Sequence, residues 1–394
     1  MTRRLIPDVP EAALYPPDGA WMARTDLQTT RLLGYSRLNL DAVTGHFMGL
    51  FGRQPCLRHA ATATPEILSF LTDAGLVIKE DMRLYRTEEE AVAAANTLLR
   101  EGYRFIAPYP QPAGLYPEDA PVVPTALWYR LNAKARMSDL VAADHLAPRQ
   151  TIADPAGLRA PVYLKAGGDV VTGWGYTVRY CETSQQINDA LDWFATLGAA
   201  DDLIAEEAMD VVTCWCAHIG CSDDTTYYLG AAEQTFAAPG QQDGSVIDPD
   251  RALPLAGQKL VLAAGEAARA MGYRGIAALD VGVTTNGRLI AFDPNFRVNA
   301  STSQVLLHHA AVQARALRVS QLVAGACDLP LAEVLARLEG PVRDGWFVPT
   351  RLLDGALLPA AEGTSLWTGF VLGLDREEAA ARNHTLSEMM RAEG

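Results

Sequence analysis

A chain of 394 residues with 49% hydrophobic content is long enough for more than one core, so two or three lobes are expected. The net charge of -14 excludes the basic surface that a nucleic-acid backbone requires, and no apolar run approaches the ~20 residues that span a bilayer. The opening MTRRLIPDVPEAALYPP has no apolar stretch after its arginines, and six cysteines are sparse for this length, so a reduced, cytoplasmic setting is predicted. Lysine occurs only at Lys79, Lys134, Lys165 and Lys259, which makes each position informative.

Residues 1–125 alternate helical and strand-like segments and predict a small α/β lobe. Thr64-Pro65-Glu66 starts a helix that Gly75 ends, Leu76 to Lys79 reads as a strand, and Thr87 with Glu90 forms a capping box for a helix reaching Gly102. Tyr103 to Ala107 is again strand-like, and no GxGxxG fingerprint is present, so no dinucleotide site is indicated. The proline-rich passage from Pro108 to Pro124 reads as a linker.

Leu131 to Leu146 carries a helical pattern containing Lys134. The stretch PVYLKAGGDVVTGWGYTVRY then places Lys165 at the end of a strand, followed by Gly167, Gly168, Gly173 and Gly175. Glycines let a backbone turn its amides toward phosphates, and a lysine at the strand end supplies neutralising charge. A loose hairpin using glycines for its turns is the plainer alternative. A helix with Ile187, Leu191, Phe194 and Leu197 on its core face follows, then a short strand from Leu203 running into Glu206 and Glu207. Cys214, Cys216 and His218 share one strand face, but the spacing suits buried thiols better than a zinc site.

After a helix from Leu255 to Met271, the segment from Arg274 to Asn299 reads as a hairpin with Asn286-Gly287 at its turn. With those two as the loop, cross-strand partners sum to 573, and Asp280 faces Asp293 at a Cβ separation of ~5 Å. Two opposed carboxylates repel unless a cation lies between them. Asn295 returns to the same face, and Asp, Asp and Asn are oxygen ligands suited to Mg²⁺. A solvated edge with two incidental acids is the alternative. A helix from Ser301 to about Ala324, a helix near Leu331 to Leu338, a strand at Gly345 to Pro349 and a helix from Asp375 complete the chain, with no chemistry apparent in the last seventy residues.

The ordered set Lys134, Lys165 with its glycine loop, Glu206, Asp280, Asp293 and Asn295 resembles the ATP-grasp superfamily over about residues 126–325. The resemblance implies an α/β fold in which two lobes clamp ATP: 126–212 with the glycine-rich loop and 213–394 with the metal hairpin, preceded by a pre-ATP-grasp domain at 1–125. It implies that Lys134 and Lys165 hold the α- and β-phosphates, that Gly167 to Gly175 cover the γ-phosphate, and that Glu206, Glu207 and the backbone near Met209 meet the adenine. Asp280, Asp293 and Asn295 would hold two Mg²⁺, with Mn²⁺ as a substitute, and Arg297 would stabilise the phosphoryl group in transfer. Thr213 stands where the family often has a ribose-binding glutamate, leaving Asp210 as the substitute, and Asp293 where glutamate is commoner.

The FDPNFRVNAS ending and the first lobe look most like the pheganomycin-type peptide ligases. The implied activity is ADP-forming ligation of a carboxylate, such as an amino acid or peptide, to an amine through an acyl phosphate, with small-molecule partners and no nucleic acid or membrane. A homo-oligomer is compatible with the sequence. An ATP-grasp kinase, a carboxylating ligase and a non-catalytic nucleotide-binding regulator are the alternatives.

Overall fold

The computed structural model describes residues 4–7, 9, 14–152, 157–173 and 175–391. Three sheets succeed one another along the chain. The first joins β1 (Gly19–Met22), β2 (Pro55–His59), β3 (Asp81–Tyr85) and β4 (Arg104–Ile106) in the parallel order β3-β2-β1-β4. β1 and β2 are buried throughout, as parallel strands covered on both faces must be. Helices α1 (Arg37–Ala42), α2 (Pro65–Asp73) and α3 (Glu88–Arg100) belong to this lobe. Thr64 caps α2 by accepting from Ile67 N, as its sequence signature predicts. Thr87 likewise accepts from Glu90 N, but the Glu90 carboxylate takes Arg86 N instead of closing a capping box. The strand expected at Leu76 to Lys79 is only an isolated bridge from Leu76 to Leu5, and the strand proper, β3, starts at Asp81.

The second sheet is antiparallel, with β5 (Arg149–Thr151), β6 (Val162–Ala166), β7 (Val178–Cys181) and β8 (Leu203–Glu207) in the order β5-β8-β6-β7. Before it, α4 (Thr125–Asn132) ends where Ala133 turns extended, with ψ of 114°. Lys134 therefore opens a 3₁₀ segment, Lys134–Asp139, instead of lying inside the helix expected from Leu131 to Leu146. Helix α5 (Ser184–Thr196) covers this sheet with Ile187 and Phe194, and a complete capping box at Thr183 and Gln186 starts it.

The third sheet contains β9 (Val211–Cys221), β10 (Thr226–Ala238), β11 (Gln241–Ile247), β12 (Gly275–Thr284), β13 (Leu289–Asn295), β14 (Val319–Cys327), β15 (Phe347–Leu353) and β16 (Ser365–Gly373). Its order is β13-β12-β9-β10-β11-β14-β16-β15. Side chains alternate along β12: Ala277, Leu279 and Val281 pack with Val261, Ala264 and Ala268 of α6 (Leu255–Ala270), which leaves Asp280 and Gly282 on the other face. Helix α7 (Thr302–Arg315) stops at Ala316 in the left-handed region, so the helix expected to reach Ala324 gives way to strand β14. Helices α8 (Leu331–Arg343) and α9 (Arg376–Met389) match their expected places, and Asp375 caps α9. Among the described residues no helix is long and apolar enough to cross a membrane.

The β12–β13 hairpin departs from a simple two-residue turn in two compensating ways. Thr284 N donates to Arg288 O and Gly287 N to Thr284 O, so three residues form the loop and the pairs nearest it, such as Val283 with Leu289, sum to 572. A bulge at Phe292 then inserts one residue, and the register becomes Asp280 opposite Asp293. Gly287 has φ of +80° and nothing within 4 Å of where a Cβ would sit, so its need for glycine is conformational alone. Gly287→Ala is expected to cost about 1 kcal/mol and Gly287→Asn distinctly less, measured by denaturant unfolding; equal costs would place the constraint elsewhere.

Candidate active site

The bulge residue Phe292 points its ring into a cleft of about 610 Å³ between the second and third sheets. Gly282 makes the room: a Cβ there would lie 2.7 Å from Phe292 and 2.8 Å from Val211. Lys134, Lys165, Glu206, Glu207, Met209, Asp280 and Asp293 also line this cleft. Beyond the two aspartates lies a smaller chamber of about 80 Å³, lined by Asp280, Asp293, Asn295, Arg297 and Asn299. The opposed carboxylates thus stand where the two spaces meet.

Asp280 is the unusual group. Gln234 Nε2 donates to its Oδ2 at 3.0 Å, while its buried Oδ1 has no hydrogen-bond partner in the protein. Burial, and then the neighbouring charge of Asp293, push its carboxyl up to about 7. A buried oxygen without a donor beside a second carboxylate fits a cation, and Asn295 offers a third oxygen in the same chamber. Among the described residues no third His, Cys, Asp or Glu joins the pair, so such an ion would complete its shell from the ligand and water.

Both lysines are engaged. Lys134 Nζ lies 2.6 Å from Asp293 Oδ1 and donates to Thr172 Oγ1 at 2.8 Å. Lys165 Nζ lies 2.5 Å from Glu206 Oε1, and Arg149 Nη2 lies 2.9 Å from the other oxygen of that buried carboxylate. Glu206 is therefore an anchor for two cations in this state. Arg297 donates to Asn132 Oδ1 and to the Thr172 carbonyl, and lies 5.5 Å from the Tyr109 ring centre. Asn132 also accepts from Phe296 N at 2.9 Å, which fixes the chain as it leaves β13.

The glycines divide by position. Gly173 lines the small chamber and Gly175 lines both spaces. Gly167 and Gly168 line neither; a Cβ at Gly167 would meet Ile204 at 2.7 Å, and one at Gly168 the Asp202 carboxylate at 2.4 Å, so they serve close packing at the strand end. Asp210 does not line the cleft, and its carbonyl accepts from Thr285 N at 2.9 Å. Thr213 lines it together with Glu233, and Arg251 reaches both. All six cysteines are free and buried; Cys214 borders the cleft and donates to Gln234 at 3.1 Å, and Cys216 borders the chamber and accepts from Asn299 Nδ2 at 3.2 Å.

Gln234, Asn132, Tyr109 and Arg149 do not stand out in the sequence. Their only prior signal is a polar residue within an apolar strand or at a helix end, and their meaning comes from neighbours 46 to 188 positions away, as in Gln234 to Asp280 and Tyr109 to Arg297.

Residues 11–129 match the family described as L-aspartate–L-methionine ligase N-terminal domain, and residues 144–295 the one described as L-aspartate–L-methionine ligase, ATP grasp. The fold is similar to that of biotin carboxylase from Campylobacter jejuni, at 12% identity and a TM-score of 0.57 over 95% of this chain and 91% of that one. An L-amino acid ligase from Bacillus licheniformis aligns at 12% identity and a TM-score of 0.53, covering 95% of this chain and 98% of that one. The biotin carboxylase domain of Hydrogenobacter thermophilus 2-oxoglutarate carboxylase, a complex with MgADP, aligns at 12% identity and 0.53 over 94% and 89%.

The raised Asp280 carboxyl has a stability consequence. Its ordinary value is 3.8 and its folded value about 7, so ionisation opposes folding progressively as pH rises through that window. Metal-free protein should therefore lose melting temperature between about pH 4 and pH 7 in a component that Asp280→Asn removes. The Lys134 ion pair makes Asp280, and not Asp293, the right variant: removing the Asp293 charge would leave buried Lys134 unpaired. Identical pH profiles for wild type and Asp280→Asn would refute a buried, repelled carboxylate.

Proposed function

The chain belongs to the ATP-grasp superfamily, in its L-aspartate–L-methionine ligase family, and is an ATP-dependent carboxylate–amine ligase; we propose that it is ADP-forming and proceeds through an acyl phosphate. The opposed Asp280 and Asp293, standing between a nucleotide-sized cleft and a small polar chamber, support this reading. A substrate carboxylate oxygen attacks the γ-phosphorus, the bond from that phosphorus to the β–γ bridging oxygen breaks, and ADP leaves with the electron pair. The amine nitrogen then attacks the acyl carbon, the carbon–oxygen bond to phosphate breaks, and the amine proton passes to solvent with phosphate as the leaving group.

The protein's part is mostly electrostatic. Lys134 and Lys165 exchange their carboxylate partners for phosphate oxygens, and Arg297, oriented by Asn132 and Thr172, faces the transferred group. Asp280, Asp293 and Asn295 would hold the divalent cations, two of them by expectation, and the charge supplied there would screen that gathering on the phosphates. The backbone at Gly173 and Gly175 closes the chamber so that water does not consume the acyl phosphate. Glu207 and Met209 line the cleft, which supports their contact with the adenine. The names aspartate and methionine in the family description support amino acids on both sides of the new bond, and consumption of ATP is consistent with a cytoplasmic setting.

Turnover should yield ADP and orthophosphate in equal amounts, depending on Mg²⁺; AMP with pyrophosphate would contradict the acyl-phosphate route. In the same assay format, Lys165→Ala should weaken ATP binding at least about tenfold, the loss of one charge-assisted contact, whereas exposed Lys79→Ala should match wild type. Equal ATP titrations for wild type and Lys165→Ala would remove Lys165 from the phosphate site.

A further inference from the structure

Most buried cations of this chain rest on a carboxylate. Arg58 Nη2 lies 3.2 Å from Glu80 Oε2 with both side chains fully covered, and Lys134 and Lys165 face Asp293 and Glu206. Arg297 and Arg351 differ: among the described residues no carboxylate lies within ion-pair distance of either. Arg351 stands on β15, where a bulge at Thr350 re-aims the strand, and its stem packs on the first lobe: a Cβ on Gly45 would lie 3.2 Å from its Cγ. Its Nη1 lies 2.7 Å from His46 Nε2, and Nη2 donates to Thr368 Oγ1 at 2.8 Å. The buried Nε has no hydrogen-bond partner in the protein.

A guanidinium only donates, so His46 accepts through Nε2 and is neutral. Burial first, and then the charges of Arg351 and Arg58, hold that imidazole well below its usual range. His46 therefore orients Arg351 without neutralising it. Burial lowers Arg351 itself to about 10, and only Tyr35 acts against the shift. An unmatched cation in such a place is costly, and the cost falls when an anion arrives with a ligand. The residue keeps partial exposure, so an anion can reach it. Tyr35 also ties it to the transfer site. The Tyr35 hydroxyl lies 3.4 Å from that of Tyr109, which lines the small chamber, and Arg297 lies 5.5 Å from the Tyr109 ring centre. Burial raises the Tyr35 hydroxyl, and the charges of Arg297 and Arg351 both act against that rise. Two unmatched arginines thus border one tyrosine pair.

We propose that Arg351 is a specificity-determining residue for the carboxylate substrate, taking a second carboxylate of that molecule while Arg297 faces the phosphoryl group that moves to the first. The substrate is then held at both anionic ends. With one carboxylate occupied by Arg351, only the other is directed at the γ-phosphorus, so the same contact decides which of the two is activated. The proposal rests on the ligase reading above and adds the residue that selects and orients the carboxylate substrate.

The test follows hydroxamate formation from L-aspartate, ATP and hydroxylamine, so that recognition of the amine substrate plays no part. Arg351→Gln should raise KM for L-aspartate by roughly ten- to a hundredfold, the effect of one charge-assisted contact, and leave KM for ATP within about twofold. Arg351→Lys should recover part of the loss. Adding L-aspartate to wild type with a non-hydrolysable ATP analogue should raise the melting temperature further, and Arg351→Gln should lose that increment. An unchanged KM for L-aspartate, a rise shared by ATP, or an increment that survives the substitution overturns the assignment. Should Arg351→Gln prove unfolded or inactive, Arg351→Lys decides: a raised KM for L-aspartate alone supports the assignment, and any other pattern overturns it. L-Methionine in place of L-aspartate separates the two levels. If wild type forms hydroxamate from L-methionine and not from L-aspartate, the activated substrate has no second carboxylate, and the proposal fails while the ligase reading stands. If it forms hydroxamate from neither, the ligase reading itself fails.

Discussion

Two carboxylates held opposite one another on adjacent strands, one of them buried with an oxygen that no protein group satisfies, set the terms for the rest of the site. The Asp280 carboxyl resists ionisation, because burial and the neighbouring Asp293 charge act in the same direction and the Lys134 ammonium offsets only part of them. The backbone nevertheless enforces the pairing. The bulge at Phe292 brings Asp293 to Asp280, Gly282 makes space for the displaced ring, and α6 packs the opposite face so that β12 cannot rotate away. The repulsion of the pair is thus held by ordinary core packing, and under the proposed function a metal–nucleotide complex would relieve it.

The lysines show the complementary arrangement. Lys134 rests on Asp293 and Lys165 on Glu206, so each positive charge is matched before any phosphate is present. A buried cation without a partner would cost several kcal/mol, and these pairs avoid that cost while keeping both amines on the cleft wall. Binding is then an exchange of partners. Under the proposed function, Asp293 would turn from lysine to cation as Lys134 turns from aspartate to phosphate. Arg149, which does not line the cleft, pairs with the second oxygen of Glu206 and would keep that carboxylate matched if Lys165 turned to a phosphate.

Much of this was legible in the sequence, for reasons that differ by residue. A two-residue turn predicts the Asp280–Asp293 pairing; the actual three-residue loop shifts the register by one, and the bulge at Phe292 shifts it back. Neither feature has a strong sequence mark beyond Gly287. Capping signals at Thr64 and Thr87 locate α2 and α3 because they act over three or four residues. Helices were overextended at Leu131 to Leu146 and beyond Arg315, where an apolar pattern continues although the backbone turns at Ala133 and Ala316. The glycines of the 167–175 loop look alike in sequence, yet only Gly173 and Gly175 border the site, since the other two are fixed by contacts with Ile204 and Asp202. Gln234, Asn132 and Tyr109 acquire their roles only through strand adjacency and lobe contact, which local patterns do not encode.

The central claim is that Asp280 and Asp293 hold a divalent cation together with the nucleotide. Mn²⁺ binding followed by electron paramagnetic resonance, in the presence of a non-hydrolysable ATP analogue, tests it without depending on turnover or on the identity of either substrate. Wild type should immobilise Mn²⁺ in a nucleotide-dependent manner, and Asp280→Asn should lose most of that signal while remaining folded. Equal Mn²⁺ binding by wild type and Asp280→Asn would contradict the account.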